Sequence, residues 1–258
     1  MAPNDHTLPQ VAYQRWSSDY RLPSGEWFGE MLHDAIAENV HFEQHGFMPD
    51  RVRAAAVRLQ AHRAADERFV VEVPWLDEFN AFTGPGRFIY LSRRILERCP
   101  HEDSVAFIVA HEIAHHELGH LEYFRHAFAR RAARLTAPLL ALLFFRALQK
   151  RIYSVEREVA ADHYAIDLCI SAGYDPGKCL YLFRILELIA LDYGDVNAVF
   201  GIDVESDREL APDAAAILKL RVWLYQRRRG YLPIQDRLAE IQRYLVETRG
   251  HEVRLRGA

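Results

Sequence analysis

The chain has 258 residues, 50% of them hydrophobic and 26% charged, with a formal net charge of −4. That balance suits one large domain or two small ones; it excludes a disordered or fibrous chain and gives no overall attraction to nucleic acid. Three cysteines, Cys99, Cys169 and Cys179, are too sparse for a disulfide framework or a cysteine-based metal site, so a reducing compartment is expected.

The N-terminal MAPNDHTLPQ has no basic stretch followed by an apolar one, so no secretory signal is read and a cytoplasmic location is expected. Residues 1–25 are polar and carry Pro3, Pro9, Pro23 and Gly25, an irregular lead-in. Trp27, Phe28, Met31, Leu32, Ile36 and Val40 then recur at helical spacing, predicting a helix over 26–44. Pro49-Asp50 precedes a second helical stretch, 51–65, rich in alanine and arginine. Here the texture changes. FVVEV at 69–73 reads as a strand, and NAFTGPGRFIYLS at 80–92 as a hairpin turning at Gly84-Pro85-Gly86.

Beyond Pro100 the pattern is helical. Helices are predicted over 101–128, over 130–150 with an interruption at Pro138, and over 152–172 closed by Gly173. Asp175-Pro176 opens another to about Tyr193, and further ones are expected at 211–227 and 234–248, after an acidic loop at 194–210. The expected fold is α+β and predominantly helical, with a small β element near 69–92 and a single domain over 26–258.

One segment complicates a soluble reading. LTAPLLALLFF at 135–145 lies between Arg130, Arg131 and Arg134 on one side and Arg146, Lys150 and Arg151 on the other. About 20 apolar residues span a bilayer, so this run is too short. A core helix, an oligomer contact or a peripheral membrane contact over 135–148 each fits it.

Residues 111–120, HEIAHHELGH, hold the pattern His-Glu-x-x-His twice in succession. One unit is His111-Glu112 to His115, the other His116-Glu117 to His120. Such a unit on a helix is a zinc-peptidase signature: two histidines on one face bind the metal and the glutamate serves as general base. Residues four apart share a helix face, so either pair can reach one ion. His115 and His116 point about 100° apart, so the two pairs cannot share it. Spacing alone leaves the register open.

Catalytic zinc usually takes three protein ligands. SVEREVAADHYA, 154–165, offers Glu158, with Asp162 one turn further on to receive the far N–H of a ligating histidine. Glu156 lies on a different face. Without the histidines the same acids would read as a surface patch.

Three stretches in order, NAFTGPGRFIYLSRRIL, EDSVAFIVAHEIAHHELGH and SVEREVAADHYA, resemble the landmarks of one zinc-peptidase family. It is the family that includes HtpX, the CaaX prenyl proteases and related soluble peptidases, and the resemblance covers about residues 50–190. The family's form is an Asn-Ala-Phe hairpin, an Ala-His-Glu-x-x-His helix with another histidine five residues later, and Ser-Arg-x-x-Glu-x-x-Ala-Asp. The resemblance implies a zincin-like domain of gluzincin type, with the HExxH helix packed against a helix carrying the third ligand. It also implies the first register, in which Ala110 precedes the motif and His120 follows at the right distance. The second register would put Arg125 there. A metzincin reading fails, because Leu118 and Leu121 stand where that pattern needs glycine and histidine.

By this resemblance His111, His115 and Glu158 are ligands of one Zn2+ and Glu112 is the general base. Asp162 stands behind a ligating histidine, and His116, Glu117 and His120 take structural or supporting roles. The implied activity is a metalloendopeptidase acting on protein or peptide chains, with zinc polarising water and carbonyl and Glu112 carrying the proton. The substrate is expected to pair with an edge strand running through Gly86, Arg87, Phe88, Ile89 and Tyr90 to Leu91. Core packing is the other use for that strand. Val155 departs from the family's arginine. Leu232-Pro233 replaces its His-Pro pair, with Asp236-Arg237 in the matching acid–arginine place and Tyr231 left as a substitute oxyanion candidate. The membrane helices of the embedded relatives are missing or shrunk to 135–148, which argues against prenyl-protease activity within a bilayer.

The rival expectation is a catalytically silent or latent interaction protein on the same fold, held to a membrane or partner through 135–148. Gln226-Arg227-Arg228-Arg229, with Trp223, Tyr225 and Tyr231 nearby, resembles a nucleic-acid patch. A solvated helix end fits the acidic total better, and no nucleic-acid partner is expected.

Overall fold

The structure is a computed structural model. It describes residues 29–121 except 31, 32, 35, 39, 64–67, 77, 78 and 85, then 154–192, 233–250, 253 and 254. The expected lead-in at 1–25, the helices at 130–150 and 211–227, the apolar run at 135–148 and the basic cluster at 226–229 lie outside the described residues.

Val52, Ala55, Ala56 and Leu59 repeat at three- and four-residue steps and form the buried face of helix α1, Phe47–Gln60. The helix starts ahead of the expected Arg51 and takes Pro49 into its first turn, where a missing N–H costs no hydrogen bond. Buried Arg51 donates to Glu102 Oε1 at 2.7 Å and to the Cys99 carbonyl at 2.9 Å, tying α1 to the start of the central helix and to the segment ahead of it.

The β element is a three-stranded sheet of β1 (Val70–Glu72), β2 (Ala81–Thr83) and β3 (Phe88–Leu91), in the order β1-β3-β2. The hairpin forms as read: Ala81, Phe82 and Thr83 oppose Leu91, Tyr90 and Ile89 antiparallel. Its second arm, however, is not an edge. Val70, Val71 and Glu72 pair in parallel with Phe88, Ile89 and Tyr90 on the other side. The expectation that Gly86 to Leu91 offers a free edge to substrate is therefore corrected.

The physical reason stands in the sequence FIYL, which has no polar position to turn toward water. All four residues are buried, as in a strand covered on both faces and both edges. Ile89 and Leu91 face the main core with Val71 and the helices. Phe88 and Tyr90 face a smaller cluster with Ile36, Phe42 and Leu121. There the His33 ring stacks on Phe88 at 4.1 Å, and its Nδ1 lies 3.2 Å from Tyr90 Oη. His33 belongs to the 29–38 stretch, which is helical wherever it is described.

A short helix that the pattern did not suggest, α2 (Arg93–Arg98), leads from β3 to α3 (Glu102–Glu117). In α3 every residue from Ser104 to Ala110 is buried. A helix with no polar face has to sit inside the molecule, and α3 packs against α1, the sheet and the first two of the three helices that follow, the third packing on those two. The three are α4 (Val155–Ser171), α5 (Pro176–Asp192) and α6 (Ile234–Arg249). Asp175 opens α5 as expected, its Oδ1 accepting from the Gly177 and Lys178 amides at 2.8 and 3.3 Å. The helix expected over 101–128 stops at Glu117, and Leu118–Leu121 form a turn. Among the described residues, no helix is long and apolar enough to cross a membrane.

Candidate metal centre

The apolar run of α3 changes at residue 111. The helix that is greasy all round up to Ala110 then carries His111, Glu112 and His115 in its last turns. Helix α4 packs along it and brings Glu158 from its first turn, which is set by Ser154 Oγ accepting from the Arg157 amide at 3.4 Å. His111 Nε2 and His115 Nε2 are 3.2 Å apart. Glu158 reaches them with Oε2 at 3.5 Å and Oε1 at 3.6 Å, respectively. One ligand atom from each of the three residues lies within 4.8 Å of the others.

The far side of each ring decides what this cluster can hold. His111 Nδ1 lies 2.9 Å from Asp162 Oδ1, and His115 Nδ1 lies 2.9 Å from His120 Nδ1. A ring nitrogen facing a carboxylate carries the proton, which leaves its Nε2 as a bare acceptor. With His111 set by a carboxylate and His115 backed by the His120 ring, two Nε2 atoms and the Glu158 carboxylate face one another. Glu158 Oε1 on α4 and Glu112 Oε2, which follows His111 on α3, are buried without a hydrogen-bond partner. Acceptors gathered around one point call for a cation, and two histidines plus a glutamate are a donor set that suits zinc.

The electrostatics agree. Burial opposes a charge on His111, yet hydrogen bonds and charges from Asp162 and Glu158 outweigh it and lift the group to about 10. An imidazole that takes up a proton so readily sits where its surroundings favour positive charge. His115, by contrast, is pushed well below its ordinary value by burial and by His111. Burial raises Glu112 to about 7, with His111 opposing and Glu158 adding to the rise.

Sequence reasoning gave Arg237 only a place in a pattern; the structure gives it contacts. Its Nε and Nη2 donate to Asp162 Oδ2 and Oδ1 at 2.8 and 2.6 Å, and Nη1 lies 3.7 Å from Glu158 Oε2. Burial would raise Asp162, but the Arg237 charge and the bonds from His111 and Arg237 hold it down at about 2. The signal that could have pointed to Arg237 was the pair of acids itself, because two buried carboxylates one turn apart need a cation.

The second HExxH unit is not a second site. His116 Nε2 bonds Thr83 Oγ1 on β2, Glu117 pairs with Arg63, and His120 backs His115. Its residues touch three different parts of the molecule. Tyr231 lies outside the described residues.

A helical fold with a small sheet carries a histidine–histidine–glutamate cluster beside a second glutamate, a make-up that suits a metallopeptidase. Residues 49–211 match the model of peptidase family M48, and the chain belongs to that family. The match agrees with the resemblance to HtpX and the CaaX proteases. No curated protein matches the chain.

Proposed function

We propose that the protein is a zinc-dependent endopeptidase, with His111, His115 and Glu158 holding the metal and Glu112 moving the proton. The observation that carries this is the convergence of three acceptors, His115 and Glu158 buried and His111 half-buried, each backed or oriented from behind, next to a glutamate with an unpartnered oxygen. When bound, zinc supplies Lewis acidity for activating water and a scissile carbonyl. Glu112 Oε2 takes the proton of the attacking water and later delivers it to the leaving nitrogen. A carboxyl raised to about 7 suits both halves of that transfer near neutral pH. Asp162 and His120 hold the two imidazoles with their Nε2 atoms facing inward.

Protein or peptide chains are the proposed substrates, bound along β2 rather than β3. The Ser92 amide donates to the Asn80 carbonyl at 2.8 Å, so Asn80 and Ser92 form a bonded pair. In an antiparallel ladder such pairs alternate, which turns Phe82 toward β3 and the backbone groups of Ala81 and Thr83 outward. Outward N–H and C=O groups next to α3 are what an extended chain needs to add as a strand.

The test is zinc content together with hydrolysis of an unfolded protein such as casein. One zinc per chain is expected in the wild type and in Glu112→Gln, with kcat in that variant lower by about 10²- to 10⁴-fold. Undiminished hydrolysis by Glu112→Gln would sink the reading.

A further inference from the structure

The stretch HEIAHHELGH places a histidine immediately after the second ligand, and the metal centre does not use it. His116 Nε2 meets Thr83 Oγ1. The Thr83 hydroxyl also lies 2.9 Å from the Phe88 carbonyl, an oxygen that can only accept. One hydroxyl proton cannot serve both contacts. The Thr83 hydroxyl donates to Phe88, and His116 donates its Nε2–H to Thr83. The imidazole is also held against the Phe69 ring, with centroids 4.6 Å apart. It is thus seated between the residue that precedes β1 and the last residue of β2.

Two directions meet here. On α3, adjacent side chains diverge by about 100°, so His115 points into the metal centre while His116 points at the sheet. On β2, Thr83 as a whole is 1% exposed; its side chain turns toward α3, and the pairing register directs its backbone N–H and C=O away from β3, while Ala81, two residues earlier on the same edge, is half-buried. This hydrogen bond therefore ties the last residue of β2 to the residue that follows His115.

We propose that His116 is a positioning residue that sets the substrate-pairing edge of β2 against the metal centre. The inference rests on the reading that β2 receives the substrate chain. His116 touches neither substrate nor metal and acts through Thr83. The repeated HExxH is then no accident of composition: its first histidine is the spacer between the helix that performs the chemistry and the strand that holds the chain.

The experiment uses the zinc-loaded protein and an internally quenched peptide that the wild type cleaves. It compares His116→Phe, Thr83→Val, Thr83→Ser and the His116→Phe/Thr83→Val double variant. Phenylalanine keeps the ring against Phe69 and removes the donor; valine keeps the shape of threonine and removes the acceptor. Each should raise KM about fivefold to tenfold, the range a single hydrogen bond commands, with kcat changed less than about twofold. Zinc content should stay at one per chain. Thr83→Ser, which keeps the hydroxyl, should lose less than Thr83→Val. The double variant should be no worse than the poorer single one, because both remove the same bond.

Additive losses, a fall in kcat at constant KM, or loss of zinc from His116→Phe would each overturn the inference. So would an active wild type whose KM neither single variant moves, and that result would leave the peptidase reading standing. A zinc-loaded wild type that cleaves no peptide or unfolded protein would remove the reading and the inference together.

Discussion

Arg237 grips Asp162 with two hydrogen bonds, 2.8 Å from Nε and 2.6 Å from Nη2, and the oxygen held by Nη2 also faces His111 Nδ1 at 2.9 Å. A chain of three side chains on three helices thus ends at the ring of His111, behind the Nε2 proposed to hold the metal. The carboxylate cannot rotate away from His111 without breaking a two-pronged ion pair. Arg237→Met should therefore weaken zinc binding by about 10- to 100-fold, as loss of a ligand's support generally does. Arg237→Lys should recover little of it, since a point charge cannot replace the planar fork. Competition with a chromogenic chelator measures both. Unchanged affinity in Arg237→Met would show that Asp162 holds His111 unaided.

Cys99 gives the stability a pH dependence far from the metal. Its thiol is 3% exposed, and burial, only partly offset by Arg51, pushes it up to about 12. In the unfolded chain it ionises near about 8.5. The folded state keeps the proton that the unfolded state gives up, so stability is full below that value and falls as pH rises past it. By pH 10 the loss from this one group is on the order of 2 kcal/mol. Urea unfolding from pH 7 to pH 10 should show the fall, and Cys99→Ala should make it shallower, leaving the share of buried Cys179, whose thiol is raised in the same direction. Equal slopes in the two proteins would contradict the assignment.

Gly86 is where the hairpin tip meets the stretch at 29–38. Its φ is +89°, and a Cβ there would lie 2.9 Å from Gly29 Cα, a backbone atom that cannot swing aside. Gly86→Ala carries both a strained backbone and a clash, so a loss of about 1–3 kcal/mol is expected in denaturant unfolding. Zinc content should be untouched, because the tip carries no ligand. Wild-type stability in this variant would mean that the 29–38 stretch can lift off the sheet without cost.

Much of the site was legible because it is written in short-range spacing. His111 with His115, and Glu158 with Asp162, are four apart, and a helix turns four-residue spacing into shared direction whatever the rest of the chain does. The hairpin was legible for the same reason, as Gly84-Pro85-Gly86 lies between two β-rich arms. What escaped was long-range. Nothing near FIYL says that FVVEV will return on its other side, although the lack of any polar position was a hint of double burial. Arg237 lies 75 residues from Asp162, with no periodicity linking them. The end of α3 was a different kind of miss. Gly119 sits in HELGH as a helix-stopping residue, but the motif invited reading straight through it.

That stop is what brings His120 to His115. In an unbroken helix residues five apart face about 140° away from each other. Here the Gly119 amide bonds the His116 carbonyl at 3.1 Å and the His120 amide bonds the His115 carbonyl at 3.0 Å, the paired bonds of a Schellman turn. Gly119 has a φ of +69°, and the turn brings His120 Nδ1 to 2.9 Å from His115 Nδ1. Burial, with Arg157 nearby, lowers His120 to about 4, so near neutral pH it is uncharged and can accept the His115 proton. His115→Ala should abolish zinc binding, whereas His120→Ala should keep the site and weaken it about 10- to 100-fold. Gly119→Ala should shift affinity in the same direction by a smaller factor, because a side chain at positive φ costs about 1 kcal/mol and loosens the turn. Zinc analysis of the three variants separates the registers. If His120→Ala lost the metal and His115→Ala kept it, the ion would belong to His116 and His120, and the convergence around Glu158 would not be its site.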